Sequence, residues 1–440
     1  MYEKVVTRFA PSPTGNLNIG GVRAGIFAYL FARHNGGQFI LRIEDTDKER
    51  SKKEYEDNII DSLKWLGLEY DNFYRQSDNA ARHEELLRKL IAEGKAYISK
   101  EEDGNGRVEV IRFKNPNKEI TFTDTVHGKI TFDTTELKDF VIAKSFIEPV
   151  FHFAVVVDDA DEGVTHVIRG ADHISNTPRQ MLIREALGIP HPEYAHLPLI
   201  VSSDRSKLSK RKGAKALSEY RDLGFLPEAI LNYDAFLGWH PEGEREIYSK
   251  KEMARKFTLE RVQKSPAMFD EAKLLWFNAQ HIKKLSDEEF SKRLAEYALG
   301  YGSTGEAKDE FDRRLVPLIK ERAQTLSEAK ELLREYDFLA RVSVGTNMLL
   351  QNGKIEKQTA SRHLQAATKL LEDVNDEDFT PEKIKNVIFP YATEHGRGEV
   401  LWPMRVALSG REKSPDPFTI ASMLGKKETL KRIASAAEAL

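Results

Sequence analysis

Residues 5–21 read V-V-T-R-F-A-P-S-P-T-G-N-L-N-I-G-G, and this stretch decides the fold of the N-terminal part of the chain. The run up to Ala10 is rich in β-branched residues, which predicts a short strand. The prolines that follow prevent the strand from continuing and prevent a helix from starting before Gly15. Apolar residues then recur at helical spacing, which predicts a helix that begins near Ile19–Val22 and ends at Gly36.

A second β-rich run, Phe39–Ile43, follows this helix and leads directly into Glu44. Strand, glycine loop, helix and strand make one right-handed βαβ unit with parallel strands. Ligands of such sheets bind beyond the carboxyl ends of the strands. Because Arg8, Ala10 and Glu44 fall at those ends, the sequence predicts a ligand site there.

Later apolar runs predict further strands of the same sheet, at Phe153–Val157 and at His196–Val201. Between residues 96 and 150 the pattern alternates around a turn at His127-Gly128, which predicts hairpins in an inserted segment. Beyond about residue 215 the apolar spacing becomes mostly helical. The predicted fold is an α/β, Rossmann-like domain with an insertion, followed by an all-α region.

The helical C-terminal region carries recognisable helix starts. Thr325 and Glu328 have the spacing of a capping box, and Pro381 and Pro417 stand where first-turn prolines occur. We therefore expect a first half of the Rossmann-like domain (1–95), the insertion (96–150), the second half (151–205), a basic loop with a further domain (206–305) and the all-α region (306–440).

Composition excludes several classes of protein. The chain has 440 residues, 40% of them hydrophobic, which is enough for several buried cores. It has no cysteine, so disulfides and thiolate metal sites are excluded. We find no apolar run of membrane-spanning length and no signal-peptide pattern, and a cytoplasmic protein without a membrane partner is expected. The formal net charge of −3 does not indicate a nucleic-acid partner, which must be argued from local features.

The loop between the first strand and the first helix has features of a phosphate-binding site. Its glycines, including Gly15 and Gly20, allow close approach of the backbone, and the helix N-terminus offers free N–H groups. Ser12 and Asn18 add side-chain donors. The spacing fits neither the dinucleotide fingerprint nor the P-loop. From the residues alone, a phosphate site and a structural turn are equally good readings.

A second segment, R-S-K-L-S-K-R-K at residues 205–212, is strongly basic. By itself it is better explained as a solvated loop. The alternative is a cationic loop whose Lys207 and Lys210 neutralise a polyphosphate as charge builds in a transition state.

The strand ends offer groups for an amino acid. Glu44 could hold an ammonium group, and Arg8 and Arg169 could each hold a carboxylate through paired N–H groups. The alternative for the acidic segment after Ile43 is capping of the next helix. The neighbouring acids Asp158 and Asp159 are either structural or hold an amino group or water.

Taken together, the segments of the chain resemble the bacterial-type glutamyl-tRNA synthetase family of class I aminoacyl-tRNA synthetases, nearly from end to end. The matching segments, in order, are R-F-A-P-S-P-T-G (8–15), L-F-A-R-H-N-G-G (30–37), L-R-I-E-D-T-D (41–47), A-V-V-V-D-D (154–159), T-H-V-I-R-G-A-D-H-I-S-N-T-P (165–178), K-L-S-K-R (207–211) and G-F-L-P-E-A-I-L-N-Y (224–233).

The resemblance implies a role for each matching residue. Pro11 to Gly21 and Lys207 to Arg211 match the two ATP signature regions, with catalytic roles implied for Asn18, Gly20, Lys207 and Lys210. The residues implied to bind ATP are Ser12, Gly20, Asp172, His173, Leu199, Ile200 and Lys210. Those implied to bind glutamate are Arg8, Ala10, Ser12, Glu44, Phe151 and Arg169. No residue is predicted to bind a metal directly.

The same resemblance implies the reaction and the partners. ATP, accompanied by Mg²⁺, would activate L-glutamate to glutamyl-adenylate, and tRNA-Glu would accept the glutamyl group at its 3′ end. The insertion would bind the acceptor end, residues 206–305 would contact the stem, and the all-α region would bind the anticodon, with Arg405 as a candidate reader. A monomer is expected, and charging of tRNA-Gln is left open.

Three departures from the family pattern matter. Asn18 stands where histidine is usual, which is expected to weaken adenylation about tenfold. Phe151 stands where a tyrosine hydroxyl usually contacts glutamate. Many relatives bind zinc through cysteines in the insertion, whereas this chain has none and is predicted to be zinc-free. The rival readings are a glutamyl-transferring enzyme that modifies a tRNA base, and an RNA-binding protein that has lost catalysis.

Overall fold

The computed structural model describes residues 4–103, 106–206, 208, 215–300, 315–339, 342 and 344–440. Its strands are β1 (Val6–Phe9), β2 (Gln38–Ile43), β3 (Asn72–Arg75), β4 (Ala96–Asp103), β5 (Gly106–Phe113), β6 (Glu119–Asp124), β7 (Gly128–Asp133), β8 (Phe140–Ser145), β9 (Glu148–Pro149), β10 (His166–Gly170), β11 (Glu193–Leu197), β12 (Ile200–Val201) and β13 (Ala267–Met268).

The α-helices of these ranges are α1 (Ile19–His34), α2 (Lys53–Leu66), α3 (Ala80–Ala92), α4 (Phe151–Asp161), α5 (Thr177–Leu187), α6 (Leu217–Asp222), α7 (Pro227–Phe236), α8 (Lys250–Lys256), α9 (Glu271–Lys284), α10 (Asp287–Leu299), α11 (Val316–Arg322), α12 (Leu326–Glu335), α13 (Thr346–Leu349), α14 (Lys357–Glu372), α15 (Pro381–His395), α16 (Arg397–Ser409) and α17 (Pro417–Glu438). The chain divides into two units, one of residues 1–285 with 324–326 and one of residues 286–323 with 327–440.

The first unit is built on a seven-stranded sheet in the order β3-β2-β1-β10-β11-β6-β7. All neighbouring pairs are parallel except the β6–β7 hairpin. The predicted parallel βαβ unit is present, since β1 pairs with β2 and α1 connects them. The helix packs its apolar side on the sheet, with Val22, Ile26 and Phe27 fully buried. The carboxyl ends of the central strands therefore lie side by side, as the sequence predicted.

The predicted strand at Phe153–Val157 is wrong, because these residues belong to helix α4. Their side chains are buried on every side of the helix, so the apolar run carries no periodicity that separates a buried helix from a buried strand. The two acids predicted to follow a strand instead lie within the last turns of this helix.

The predicted strand at His196–Val201 is divided in two. It begins earlier, at Glu193, and ends at Leu197, where Pro198 supplies no N–H to continue the ladder. The second piece, β12, pairs with β13 in a separate two-stranded sheet.

The inserted segment contains the expected hairpins but distributes them over two sheets. Strands β4, β5, β8 and β9 make an antiparallel sheet of their own. The hairpin at His127-Gly128 is present as β6–β7, and β6 also pairs with β11 of the main sheet through Asp124 and Tyr194. The insertion therefore contributes an edge to the seven-stranded sheet.

In the second unit the described elements are helical, which confirms the predicted all-α region. Pro381 and Pro417 occupy first turns of α15 and α17, and α12 begins directly after Thr325, as predicted. Buried Arg432 joins three segments by donating from Nη1 to Phe338 O at 2.7 Å and to Leu408 O at 2.9 Å.

Within the described ranges, we find no helix that is both apolar enough and long enough to cross a bilayer.

The turn between α1 and β2 leaves no room for a side chain, which gives a test of the fold. A Cβ at Gly37 would lie 2.2 Å from Val5 O, an oxygen fixed by its hydrogen bond to Gln38 N at 2.8 Å. Gly37→Ala should therefore lower the free energy of unfolding by about 2–3 kcal/mol, measured by denaturant titration.

The control for this variant is Gly36→Ala. Gly36 has φ +62° but nothing within 4 Å of its Cβ position, so only the left-handed backbone is penalised, by about 1 kcal/mol. If Gly37→Ala is as stable as the wild type, the close approach of the turn to β1 is wrong.

Candidate active site

A cavity of about 930 Å³ opens beyond the carboxyl ends of β1, β2 and β10. Every predicted site residue that the structure describes lines it: Arg8, Ala10, Ser12, Asn18, Gly20, Glu44, Phe151, Arg169, Asp172, His173, Leu199 and Ile200. Of the predicted motif from Lys207 to Arg211, only Leu208 is among the described residues, and it also lines the cavity. Lys207 and Lys210 lie outside the described residues.

Helix α1 begins at the cavity wall, and Asn18 is its N-cap. The Asn18 Oδ1 atom accepts a hydrogen bond from Gly21 N at 2.8 Å. Among the described residues its Nδ2 group donates to no protein atom, so it is available to a ligand. Gly20 and Gly21 in the first turn also line the cavity. The wall therefore offers the Gly20 N–H group and the positive dipole end of a helix, an arrangement suited to phosphate.

Asn18 has a structural role, as the N-cap of α1, that the sequence analysis did not predict. Asparagine is among the best N-cap residues, and the side chain of Asn18 caps the helix through Oδ1 while the residue lines the cavity. The loss of a chargeable ring at this position is thus accompanied by a firmly capped helix start.

Asp159, on α4, is the centre of a buried ion network. Its Oδ1 lies 3.0 Å from Arg8 Nε and 2.9 Å from Arg42 Nη2, and its Oδ2 lies 3.8 Å from Arg184 Nη2. Burial alone would raise the pKa of Asp159, but Arg8, Arg42 and Arg184 together hold it well below its ordinary value. Asp159 is therefore a structural anion that positions Arg8.

Arg42 extends this network to two further carboxylates. Its side chain is completely buried, with Nη2 3.1 Å from Glu44 Oε1 and Nη1 2.7 Å from Glu162 Oε2. Sequence reasoning missed Arg42 as a member of the site, because an arginine inside a strand gives no local signal of a buried partner. Its effect is to hold Glu44 at the end of β2.

Only one of the two carboxylate oxygens of Glu44 is paired with an arginine. Its Oε1 accepts from Arg42, whereas its Oε2 makes no ion pair with the described residues. Burial raises the pKa of Glu44 above its ordinary value, although Arg42 and Arg8 oppose that rise. A cationic group placed beside Oε2 would be favoured, since it would offset the cost of a buried carboxylate.

Arg169 is buried at the cavity wall, and no carboxylate of the described residues lies within ion-pair distance of it. Its Nε lies 3.1 Å from His196 Nε2, and its Nη2 lies 3.0 Å from Thr177 Oγ1. Burial, and then repulsion from Arg8, lowers the pKa of Arg169 to about 10, so the guanidinium stays charged at neutral pH. Its Nη1 makes no hydrogen bond with the described residues.

These ion pairs leave the guanidinium of Arg169 in excess. The carboxylates of Glu44, Asp159 and Glu162 pair with the guanidiniums of Arg8, Arg42 and Arg184. Arg169 lies outside these pairs. The cavity is therefore suited to a small ligand with a net negative charge that also carries a cationic group.

Asp158 is saturated by protein partners, which favours the structural reading of this residue. Its Oδ2 accepts from Gln76 Nε2 at 2.7 Å, and its Oδ1 accepts from Asn79 Nδ2 at 2.9 Å and lies 2.7 Å from His83 Nε2. The pairs are far apart in sequence, so local patterns could not indicate them. Asp158 fixes α4 to the segment that precedes and begins α3.

An aromatic pair and an apolar pair also line the cavity. The rings of Phe151 and His173 are 5.5 Å apart, and burial lowers the pKa of His173 to about 4. A neutral ring at His173 can therefore stack or hydrogen-bond without adding charge. Leu199 and Ile200 line the cavity beside it. Flat, weakly polar surfaces of this kind accept a nucleobase.

Comparison with known proteins places this site in a family. The profile described as "tRNA synthetases class I (E and Q), catalytic domain" matches residues 4–105 and 99–276. The profile described as "Anticodon binding domain" matches residues 251–437. The glutamate–tRNA ligase of Thermodesulfovibrio yellowstonii is 39% identical, over 98% of this chain and 98% of the relative. That of Aquifex aeolicus is 39% identical over 99% of both chains.

A solved structure agrees with these sequence matches. The crystal structure of a glutamate tRNA ligase from Elizabethkingia meningosepticum, in complex with its amino acid, superposes with a TM-score of 0.85 at 31% identity and covers 100% of both chains. Both profiles, the near-complete relatives and the shared fold agree with the geometry of the cavity. The chain belongs to the glutamate–tRNA ligase family of class I tRNA synthetases.

Proposed function

We propose that this chain activates L-glutamate with ATP and transfers the glutamyl group to the 3′ end of tRNA-Glu. One observation carries the proposal: a single cavity is lined by the α1 N-terminus, the excess guanidinium of Arg169 and the carboxylate of Glu44. Of the two Glu44 oxygens, Oε1 accepts from Arg42. The first feature suits the phosphates of ATP and the other two suit an acidic amino acid.

In the proposed first step the protein positions two reactants and stabilises charge. Glu44 holds the ammonium group of glutamate, while Arg8 and Arg169 bind its carboxylates. An oxygen of the α-carboxylate attacks the α-phosphorus of ATP; the new C(O)O–P bond forms as the bond to pyrophosphate breaks. The N–H groups at Gly20 and the Nδ2 group of Asn18 face the phosphates, and no covalent intermediate with the enzyme is required.

The remaining roles complete the ATP site. Ser12 and Ala10 would contact both substrates, and Asp172, His173, Leu199 and Ile200, which line the same cavity, would surround the adenosine. Lys207 and Lys210, which lie outside the described residues, would neutralise the phosphates. The second step is attack of a terminal ribose hydroxyl of the tRNA on the glutamyl carbonyl, with AMP as leaving group.

Charge gives the proposed discrimination between glutamate and glutamine. Glutamate carries a net negative charge that neutralises the excess guanidinium, whereas glutamine leaves that charge buried without a partner. The penalty for an uncompensated buried charge is about 3–5 kcal/mol, which is ample for discrimination.

Mg²⁺ is proposed to enter with ATP rather than to occupy a protein site. Within the described ranges, no group of three or more acidic or histidine side chains is placed to hold a metal. Magnesium that arrives on phosphates needs only one or two carboxylates and water, so the residues present fit this mode. When bound, the ion would neutralise phosphate charge. The cysteine-free insertion is proposed to work without zinc.

The tRNA contacts are proposed from the domain order. The insertion (96–150) would meet the acceptor end, residues 206–305 the stem, and residues 306–440 the anticodon. Arg405 stacks 4.8 Å from the ring centre of Trp402, so its planar guanidinium is presented as an RNA-binding group would be. We further propose a cytoplasmic monomer.

The two rival functions are weaker. A base-modifying glutamyl transferase would need only the catalytic part, whereas the anticodon-binding profile spans residues 251–437. Loss of catalysis is disfavoured because the cavity keeps both Glu44 and the excess guanidinium of Arg169.

The proposed function is tested by measuring pyrophosphate release and tRNA charging with purified protein. Release should require glutamate, ATP and tRNA-Glu together, and glutamine should not replace glutamate. A parallel reaction with tRNA-Gln decides whether that tRNA is also charged. Absence of charging with cognate tRNA-Glu would favour the non-catalytic reading.

A prediction concerns Glu44. Glu44→Gln should raise the KM for glutamate about 10- to 100-fold, because a charge-assisted hydrogen bond to the ammonium group is lost. The KM for ATP should change little. Equal KM values for glutamate in the variant and the wild type would show that Glu44 does not bind the ammonium group of glutamate.

The raised pKa of Glu44 predicts a pH effect with a definite sign. Only the ionised carboxylate attracts an ammonium group, so the wild-type KM for glutamate should rise as the pH falls through that raised pKa. The Glu44→Gln enzyme lacks the titrating group and should show a flat KM over the same range. An acid rise of similar size in both enzymes would assign the titration to another group.

A separate prediction concerns Asn18. Asn18→His should accelerate glutamate-dependent ATP–pyrophosphate exchange up to about tenfold, because a chargeable ring can contact phosphate more strongly than an amide. Asn18→Ala is the matched control; it should slow exchange and also destabilise α1 by about 1 kcal/mol through loss of the cap. Slower exchange in the histidine variant would show that the cap matters more than the charge.

A further inference from the structure

The strongest unexplained feature beside the cavity is a buried line of side chains that ends on Arg169. It runs from Asp124 in the insertion to His196 on β11 and then to Arg169 on β10. His196 and Arg169 face each other in register across the parallel strands, and Asp124 lies where β6 meets β11. Asp124 and His196 do not line the cavity, so neither touches a substrate there.

The carboxylate of Asp124 is held in one protonation state by its neighbours. Its Oδ1 accepts from Val126 N at 2.9 Å and from His127 N at 2.8 Å. Its Oδ2 accepts from His196 N at 3.0 Å and lies 2.6 Å from His196 Nδ1. A carboxylate with this many donors is ionised, and it can only accept hydrogen bonds. His196 Nδ1 must therefore carry a proton.

The opposite nitrogen of the ring is then fixed as well. His196 is completely buried, and burial lowers its pKa, so the ring holds a single proton at neutral pH. With that proton on Nδ1, Nε2 presents a lone pair to the Arg169 Nε–H group 3.1 Å away. The other tautomer would set two N–H groups against each other. Stacking on Tyr194, 6.1 Å away at 10°, keeps the ring in its plane.

We infer that Asp124 and His196 are positioning residues for glutamate recognition, acting by fixing the histidine tautomer that orients the guanidinium of Arg169. This inference rests on the proposed function and adds two residues to it. With Nε tied to His196 and Nη2 tied to Thr177, the Nη1 edge of Arg169 is the one left for a substrate carboxylate. The inserted segment thereby contributes to amino-acid selection.

The kinetic experiment compares two substitutions of the histidine. His196→Gln can place its amide oxygen near the position of Nε2 and still accept from Arg169, whereas His196→Leu cannot. We expect His196→Leu to raise the KM for glutamate about tenfold and His196→Gln to raise it less than about threefold. The KM for ATP should stay within about twofold in both.

The control is His281→Leu. His281 is also buried in the first unit, its Nε2 lies 3.0 Å from Asn232 Oδ1, and it does not line the cavity. This variant should lower the unfolding temperature without changing the KM for glutamate. Equal rises in glutamate KM for His196→Leu and His196→Gln, or a rise in the KM for ATP as large as that for glutamate, would mean that His196 is merely structural.

A spectroscopic measurement keeps the inference testable if a variant fails to fold. Nitrogen NMR of the histidine-labelled wild type, assigned by the signal lost in His196→Gln, should show a protonated Nδ1 and a bare Nε2 at neutral pH. A protonated Nε2, or a doubly protonated ring, would overturn the inference. Asp124→Asn, which can donate to Nδ1, should shift the ring toward the other tautomer and raise the KM for glutamate.

Different results would contradict the proposed function and the positioning role of His196. If the wild type shows no glutamate-dependent pyrophosphate exchange in the presence of tRNA-Glu, the proposed function is wrong, whatever the tautomer of His196. If the wild type is active but His196→Leu has the same KM for glutamate, only the positioning role of His196 is wrong.

Discussion

The arrangement of the cavity depends on the carboxylate of Asp159, which three guanidiniums share. This single buried anion joins helix α4 to β1 through Arg8 and to β2 through Arg42. Its removal would leave buried cations without a partner, a loss of about 3–5 kcal/mol. The ends of the central strands are held in place by charge as well as by the apolar contacts beneath them.

The same network underlies the proposed selectivity. A buried charge costs least when it has a partner of opposite sign, and the network pairs Arg8, Arg42 and Arg184 with carboxylates but not Arg169. Under the proposed function, Arg169 binds a substrate carboxylate and the neighbouring Glu44 supplies the opposite sign for an ammonium group. The proposed site would then be complementary to a zwitterion with an additional carboxylate, and the α1 N-terminus in the same cavity to phosphate.

Sequence reasoning was most successful where a periodic pattern and a chain breaker coincide. The unit of β1, α1 and β2 was predicted because prolines, glycines and helical spacing mark its boundaries. The run Phe153–Val157 was misassigned because a fully buried segment shows no alternation between apolar and polar faces. Every predicted site residue that the structure describes lies on the cavity, since motifs in a fixed order carry more information than any one of them.

What the sequence could not indicate are contacts between distant segments. The pairing of β6 with β11, the hydrogen bonds of Asp158 and the link from Asp124 through His196 to Arg169 all join residues that are distant in sequence. None of these partners has a local signature. They determine, however, which of the predicted arginines is balanced by protein carboxylates and which is left for the substrate.

The most direct test of the account is a crystal structure of the protein with L-glutamate bound at neutral pH. We expect a carboxylate oxygen of glutamate within about 3 Å of Arg169 Nη1 and the ammonium nitrogen beside Glu44 Oε2. His196 should keep its contact with Arg169 Nε. A glutamate molecule bound with Arg169 unengaged, or with its ammonium group away from Glu44, would contradict the claim that the excess buried charge selects the substrate.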